Sequence, residues 1–139
     1  MYHARVEDEF SAAHFLSHYQ GKCERLHGHN YRVRLWTRGE KLNEGGMLVD
    51  FSLLKKILKE VLSLLDHSCL NDLEIFKGAS SASDSIASDK IASDPSAERI
   101  AKFIFEEVRK RLLAIGVDGS LLEAIDVFEN ARSMARYEE

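Results

Sequence analysis

His27-Gly-His-Asn-Tyr31-Arg-Val-Arg-Leu-Trp-Thr-Arg38 is the stretch whose reading decides the fold. Tyr31, Val33, Leu35 and Thr37 alternate with Arg32, Arg34, Trp36 and Arg38, which predicts a strand with one apolar and one mostly charged face. Side chains two apart on a strand share a face, so His27 and His29 point the same way and can grip one ion together. Gly28 between them leaves room on the opposite face. Gly39 ends the run, and Gly45-Gly46 marks the next turn.

Working upstream, Cys23 and Glu24 precede the histidine pair, and Phe10-Ser-Ala-Ala-His14 lies before them. His14 would complete a three-histidine set with an open fourth position, the arrangement of a catalytic rather than a structural zinc. Structural sites are usually closed by four ligands, often thiolates.

The remaining elements follow from periodicity. Tyr2 to Phe10 alternates as a strand. Asp50 is a candidate N-cap for a helix in which Leu54, Ile57, Leu58, Val61, Leu62 and Leu65 recur at helical spacing. Residues 78–94 are serine-rich and nearly repetitive, and read as a mobile surface loop inserted in the domain. A second helix is expected to open on Asp94 with Pro95 at its first position, its stripe formed by Ile100, Phe103, Ile104, Val108 and Leu112. Glu123 to Asn130 and Ser133 to Tyr137 read as two closing strands. The order ββααββ predicts an α+β domain, a four-stranded antiparallel sheet with two helices on one face. Such a sheet leaves open edges, and these invite pairing with further copies of the chain.

A chain of 139 residues is expected to form a single domain, 1–139. Its net charge of -4 argues against nucleic-acid binding as its main business. No apolar run approaches a membrane span, and Met1 to Asp8 lacks the apolar core of an export signal, so a cytoplasmic setting with free Cys23 and Cys69 is expected. Cys69 reads as a small buried filler.

With these residues in hand, the chain resembles the 6-pyruvoyl-tetrahydropterin synthase family, including its bacterial 6-carboxy-tetrahydropterin synthase branch. The matching motifs run nearly end to end. They are Phe10-Ser-Ala-Ala-His14, Cys23-x-x-x-His27-Gly-His29-Asn-Tyr31, Leu48-Val-Asp-Phe51 with Leu54-Lys55, Leu65-Asp-His67-x-x-Leu70-Asn71, Pro95-Ser-Ala-Glu98 with Ile100-Ala101, and Val127-Phe-Glu129. The resemblance implies a tunnelling fold, in which sheets of several subunits join into barrels. It also implies a homohexamer of two stacked trimers with active sites at subunit interfaces.

The resemblance further assigns His14, His27 and His29 as Zn2+ ligands and 7,8-dihydroneopterin triphosphate as substrate. Cys23 would be the base that removes a carbon-bound proton, and Asp66 with His67 a second proton-transfer element. On the residues alone, Asp66-His67 reads equally as the C-terminus of the preceding helix, where the dipole favours histidine. Glu129 would hold the guanidine-like edge of the pterin, with Ser96 and Glu98 as further substrate contacts. Those two also suit the first turn of a helix. Cys23 precedes His27 by four, as in the carboxy-forming branch of the queuosine pathway. Glu24 fits the Glu-x-x-His-Gly-His pattern of a branch that makes 6-hydroxymethyl-dihydropterin for folate. Both patterns stand in this chain, and formation of the pyruvoyl product or silent pterin or metal binding are the other readings.

Overall fold

In the computed structural model, residues 1–17, 19–77 and 94–139 are described. The serine-rich stretch expected to be a mobile loop therefore lies outside the described residues, apart from Asp94. Strands β1 (Tyr2–His14) and β2 (His27–Gly39) form a long antiparallel pair running in unbroken register from Tyr2–Gly39 to His14–His27. Helix α1 (Phe51–Leu62), strand β3 (Ser68–Cys69), helix α2 (Ala97–Ala114) and strands β4 (Leu122–Asn130) and β5 (Ser133–Glu138) follow. β2 pairs with β4 and β4 with β5, both antiparallel.

The sheet corrects the four-stranded antiparallel expectation. It has five strands in the order β3-β1-β2-β4-β5, and the added strand, β3, runs parallel to β1 through Ala12–Ser68 and Ala13–Cys69. Two residues cannot show an alternation, so β3 was invisible in the sequence. Cys69 is half-buried on this strand rather than a core filler. β1 also runs four residues beyond Phe10, because Ser11 to His14 find partners on β2.

The alternation of β1 and β2 sorts the two faces. Val6, Phe10, Tyr31, Val33 and Leu35 join Leu54, Ile57, Leu58 and Val61 of α1 and Ile100, Ile104, Phe105, Val108 and Leu112 of α2 in one buried cluster. The other face is polar and aromatic. Arg34 pairs with Glu7 at 2.6 Å, and the guanidiniums of Arg32 and Arg34 lie 4.4 and 4.7 Å from the Phe128 ring. Buried Asp126 accepts from Trp36 Nε1 and from two nitrogens of Arg136, which satisfies a carboxylate that would otherwise be costly to bury.

Asp50 caps α1 as expected, its carboxylate accepting from the Ser52 amide at 2.7 Å. For α2 the expectation fails. Ser96, not Asp94, is the N-cap, and the helix begins at Ala97 after Pro95. The Asp94 carboxylate instead receives the Ser17 amide and hydroxyl, at 2.8 and 2.7 Å. A partner from 77 residues away outcompeted the local capping role.

Leu58 is fully buried between α1 and the sheet. Leu58→Ala is expected to cost about 2–5 kcal/mol in denaturant unfolding, while an exposed change such as Lys56→Ala stays within about 0.5 kcal/mol.

Candidate metal and substrate site

β1 ends on His14 and β2 begins on His27, and the register sets these two directly opposite each other. His29 stands two residues along β2 on the same face. The imidazole centroids are 4.6, 5.1 and 4.8 Å apart, with planes crossed by 64–90°. One ring nitrogen from each histidine lies within 4.8 Å of the other two.

The hydrogen bonds set the chemistry of these nitrogens. His14 Nδ1 donates to the Pro95 carbonyl at 2.8 Å, and His27 Nδ1 to the Arg25 carbonyl at 2.6 Å. A carbonyl accepts only, so both protons sit on Nδ1 and both Nε2 atoms present lone pairs. Those two Nε2 atoms face each other at 3.0 Å. His29 Nε2 is buried with no hydrogen-bond partner among the described residues. Burial pushes the pKa of His14 and of His29 below the usual imidazole range, which keeps both rings neutral at pH 7. Lone pairs converging on one point, with their donors tied back to carbonyls, suit a divalent cation. The donor set fits zinc: three imidazoles leave a fourth position open.

Glu129, near the end of β4, stands beside this cage, its carboxylate 3.8 Å from His14 Nε2. It also lines a cavity of about 240 Å³ with Leu16, Ser96, Glu98, Ser133 and Met134. Three of the substrate contacts expected from sequence, Ser96, Glu98 and Glu129, are therefore gathered in one cavity. Ser96 Oγ is engaged as the α2 cap, 3.4 Å from the Arg99 amide.

Cys23 and Glu24 share a single 3-10 turn, Lys22–Glu24, with the thiol half-buried and the carboxylate exposed. The Asp66 carboxylate lies 2.9 Å from His67 Nδ1, outside β1. The Ser11 amide donates to Asp66, and the His67 amide donates to the Ser11 carbonyl. The Ser11 hydrogen bond, with His67 beside it, holds the Asp66 carboxyl below its usual range. His67 has φ of 55°, a left-handed conformation rare for residues other than glycine, and its side chain is 84% exposed. Ser11 and His14, three residues apart on β1, lie on opposite faces of the strand.

The reading of the residues passed over Tyr31. Its ring lies edge-on to His29 at 5.2 Å and to His14 at 5.8 Å, and stacks on Phe10 at 4.8 Å. The phenol is buried without a partner among the described residues, and burial together with the nearby Glu129 charge raises its pKa far above the ordinary value. It remains a hydrogen-bond donor under the cage. The alternation from His27 through His29 to Tyr31 was the available signal.

A family model described as 6-pyruvoyl tetrahydropterin synthase matches residues 3–139. A Synechocystis protein named 6-carboxy-5,6,7,8-tetrahydropterin synthase is 38% identical over 136 residues, covering 94% of this chain and 88% of that one. A Bacillus subtilis protein of the same name is 39% identical over 103 residues, covering 73% of this chain and 62% of its own length. Among solved structures, 6-pyruvoyl tetrahydropterin synthase of Caenorhabditis elegans superposes with a TM-score of 0.78 at 27% identity, spanning 99% of this chain and 95% of that one.

His27→Ala is expected to abolish metal loading, measured by elemental analysis after dialysis, while far-ultraviolet circular dichroism stays unchanged. Stoichiometric metal in that variant would contradict the ligand assignment.

Proposed function

The chain belongs to the 6-pyruvoyl tetrahydropterin synthase family, and on that premise we propose that it is a zinc-dependent lyase. Its reaction would convert 7,8-dihydroneopterin triphosphate to 6-carboxy-5,6,7,8-tetrahydropterin, in the service of queuosine and related deazapurines. The observation that carries this reading is the convergence of three imidazole nitrogens beside the cavity lined by Glu129. The names of the Synechocystis and Bacillus subtilis relatives support the choice of product.

Zinc held by His14, His27 and His29 would supply Lewis acidity toward the hydroxyls of the substrate side chain. Glu129 would receive the two N–H groups of the pterin edge in a charge-assisted pair, and this orients the ring against the cage. Ser96 and Glu98 would line the same cavity. Cys23, on its short turn, would take the carbon-bound proton as a thiolate. The Asp66 carboxylate would orient His67, which would pass protons to and from the substrate.

The exposed position of Asp66-His67 outside β1 supports an assembly in which one copy lends this pair to another's cage. Among the described residues the half-exposed polar face of the sheet carries no helix, and strands β3 and β5 are the edges of the sheet. Both features suit a single-domain subunit of a tunnelling-fold homohexamer. Among the described residues no helix is long and apolar enough to cross a membrane.

A second reading rests on Glu24, which shares the Lys22–Glu24 turn with Cys23 and is exposed. A carboxylate in that position could act as the base for 6-hydroxymethyl-dihydropterin formation, alone or beside the thiol. The solved relative from Caenorhabditis elegans supports the pyruvoyl product as a third.

Cys23→Ala is expected to lower carboxy-pterin formation by about 10²–10⁴-fold with zinc content unchanged, assayed by chromatography of the products. Unaltered turnover would overturn the thiol's role. A hydroxymethyl-pterin product that disappears only in Glu24→Ala would establish the second reading, and a pterin-binding chain with no turnover would overturn both.

A further inference from the structure

The thiol-bearing turn is held to the end of β1 by segment 15–17, which leaves His14 directly. The Leu16 amide donates to the Cys23 carbonyl at 2.8 Å. Two side chains from distant parts of the chain grip the residues on either side of Leu16. Asn71 makes a two-bond clasp on Phe15, its Oδ1 accepting the Phe15 amide at 3.0 Å and its Nδ2 donating to the Phe15 carbonyl at 2.9 Å. The clasp mimics a strand partner exactly where β3 has ended. Asp94 takes the Ser17 amide at 2.8 Å and the Ser17 hydroxyl at 2.7 Å. Next to Asp94, the Pro95 carbonyl receives the His14 Nδ1 proton. One turn therefore touches both a cage histidine and the segment that carries the thiol turn.

We infer that Asn71, assisted by Asp94, is a positioning residue for Cys23, fixing segment 15–17 so that Leu16 presents the thiol turn at a set distance from the histidine cage. The inference rests on the reading of Cys23 as the proton-abstracting group. Physically, Phe15 and Ser17 lie beyond the sheet, so their amide and carbonyl groups have no strand ladder to hold them. Side chains fixed on the turn after β3 and at the start of α2 supply that restraint instead. A base displaced by about 1 Å from the proton it removes can lose about two orders of magnitude in rate. Asn71 does not itself line the cavity, so its removal should act through the placement of segment 15–17, which carries Leu16 of the cavity wall as well as the hydrogen bond to Cys23.

The test uses the assembled, zinc-loaded protein in a Cys69→Ser background, so that Cys23 is the thiol read. In Asn71→Ala, kcat is expected to fall by about 10–100-fold, more than KM rises, with zinc content unchanged. Alkylation of Cys23 by iodoacetamide at one pH should rise at least about threefold, and the Leu16 amide should lose protection in hydrogen exchange, since the clasp that orders it is gone. Asp94→Ala should shift the same two readouts, and Asp94→Asn, which keeps an acceptor for the Ser17 amide, should lie closer to the unaltered protein. Unchanged alkylation and unchanged Leu16 protection in both Asn71→Ala and Asp94→Ala would overturn the inference. Raised alkylation in a protein whose Cys23→Ala variant turns over normally would uphold the positioning and overturn the catalytic reading instead, so the two can fail separately.

Discussion

The antiparallel register that sets His14 against His27 is the constraint on which the rest depends. A slip of one residue between β1 and β2 would turn every side chain of one strand to the other face. Val6 and Phe10 on β1 and Tyr31, Val33 and Leu35 on β2 are buried under α1 and α2, so such a slip would expose the core. The same parity that buries these residues carries His14, His27 and His29 to one face. Core packing and the geometry of the cage are thus one requirement, enforced by many apolar contacts rather than by the histidines themselves.

That arrangement would be unfavourable as an empty design. Two Nε2 lone pairs face each other at 3.0 Å because the Pro95 and Arg25 carbonyls hold the protons on the far nitrogens. Desolvation keeps His14 and His29 neutral and removes the easy escape of protonation. The phenol of Tyr31 adds a buried donor beneath the cage. A cation resolves the repulsion, and the Glu129 cavity beside it offers a place for an organic substrate. His67, in its left-handed conformation, and Asp66 are pinned to the outside of β1 by Ser11.

Much of this was legible because period-2 alternation reports both strand and face. His27, His29 and Tyr31 to Arg38 could be assigned from their spacing, as could the Asp50 cap. The failures have a common cause, contacts far apart in sequence. Asp94 and Pro95 look like a helix start, yet Asp94 serves Ser17 and Ser96 takes the cap. β3 is defined by what it pairs with, since two residues carry no pattern of their own. The contact of Asp66 and His67 with Ser11 likewise joins residues more than fifty positions apart and has no local signature. The clasp of Asn71 on Phe15 spans 56 residues and leaves no local trace.

X-ray absorption at the zinc edge of the loaded protein tests the account most directly. The arrangement predicts three nitrogen ligands at about 2.0–2.1 Å with oxygen completing the shell and no sulfur. A sulfur ligand at about 2.3 Å would make Cys23 part of a closed site and contradict both the open coordination position and the thiol's role as a base.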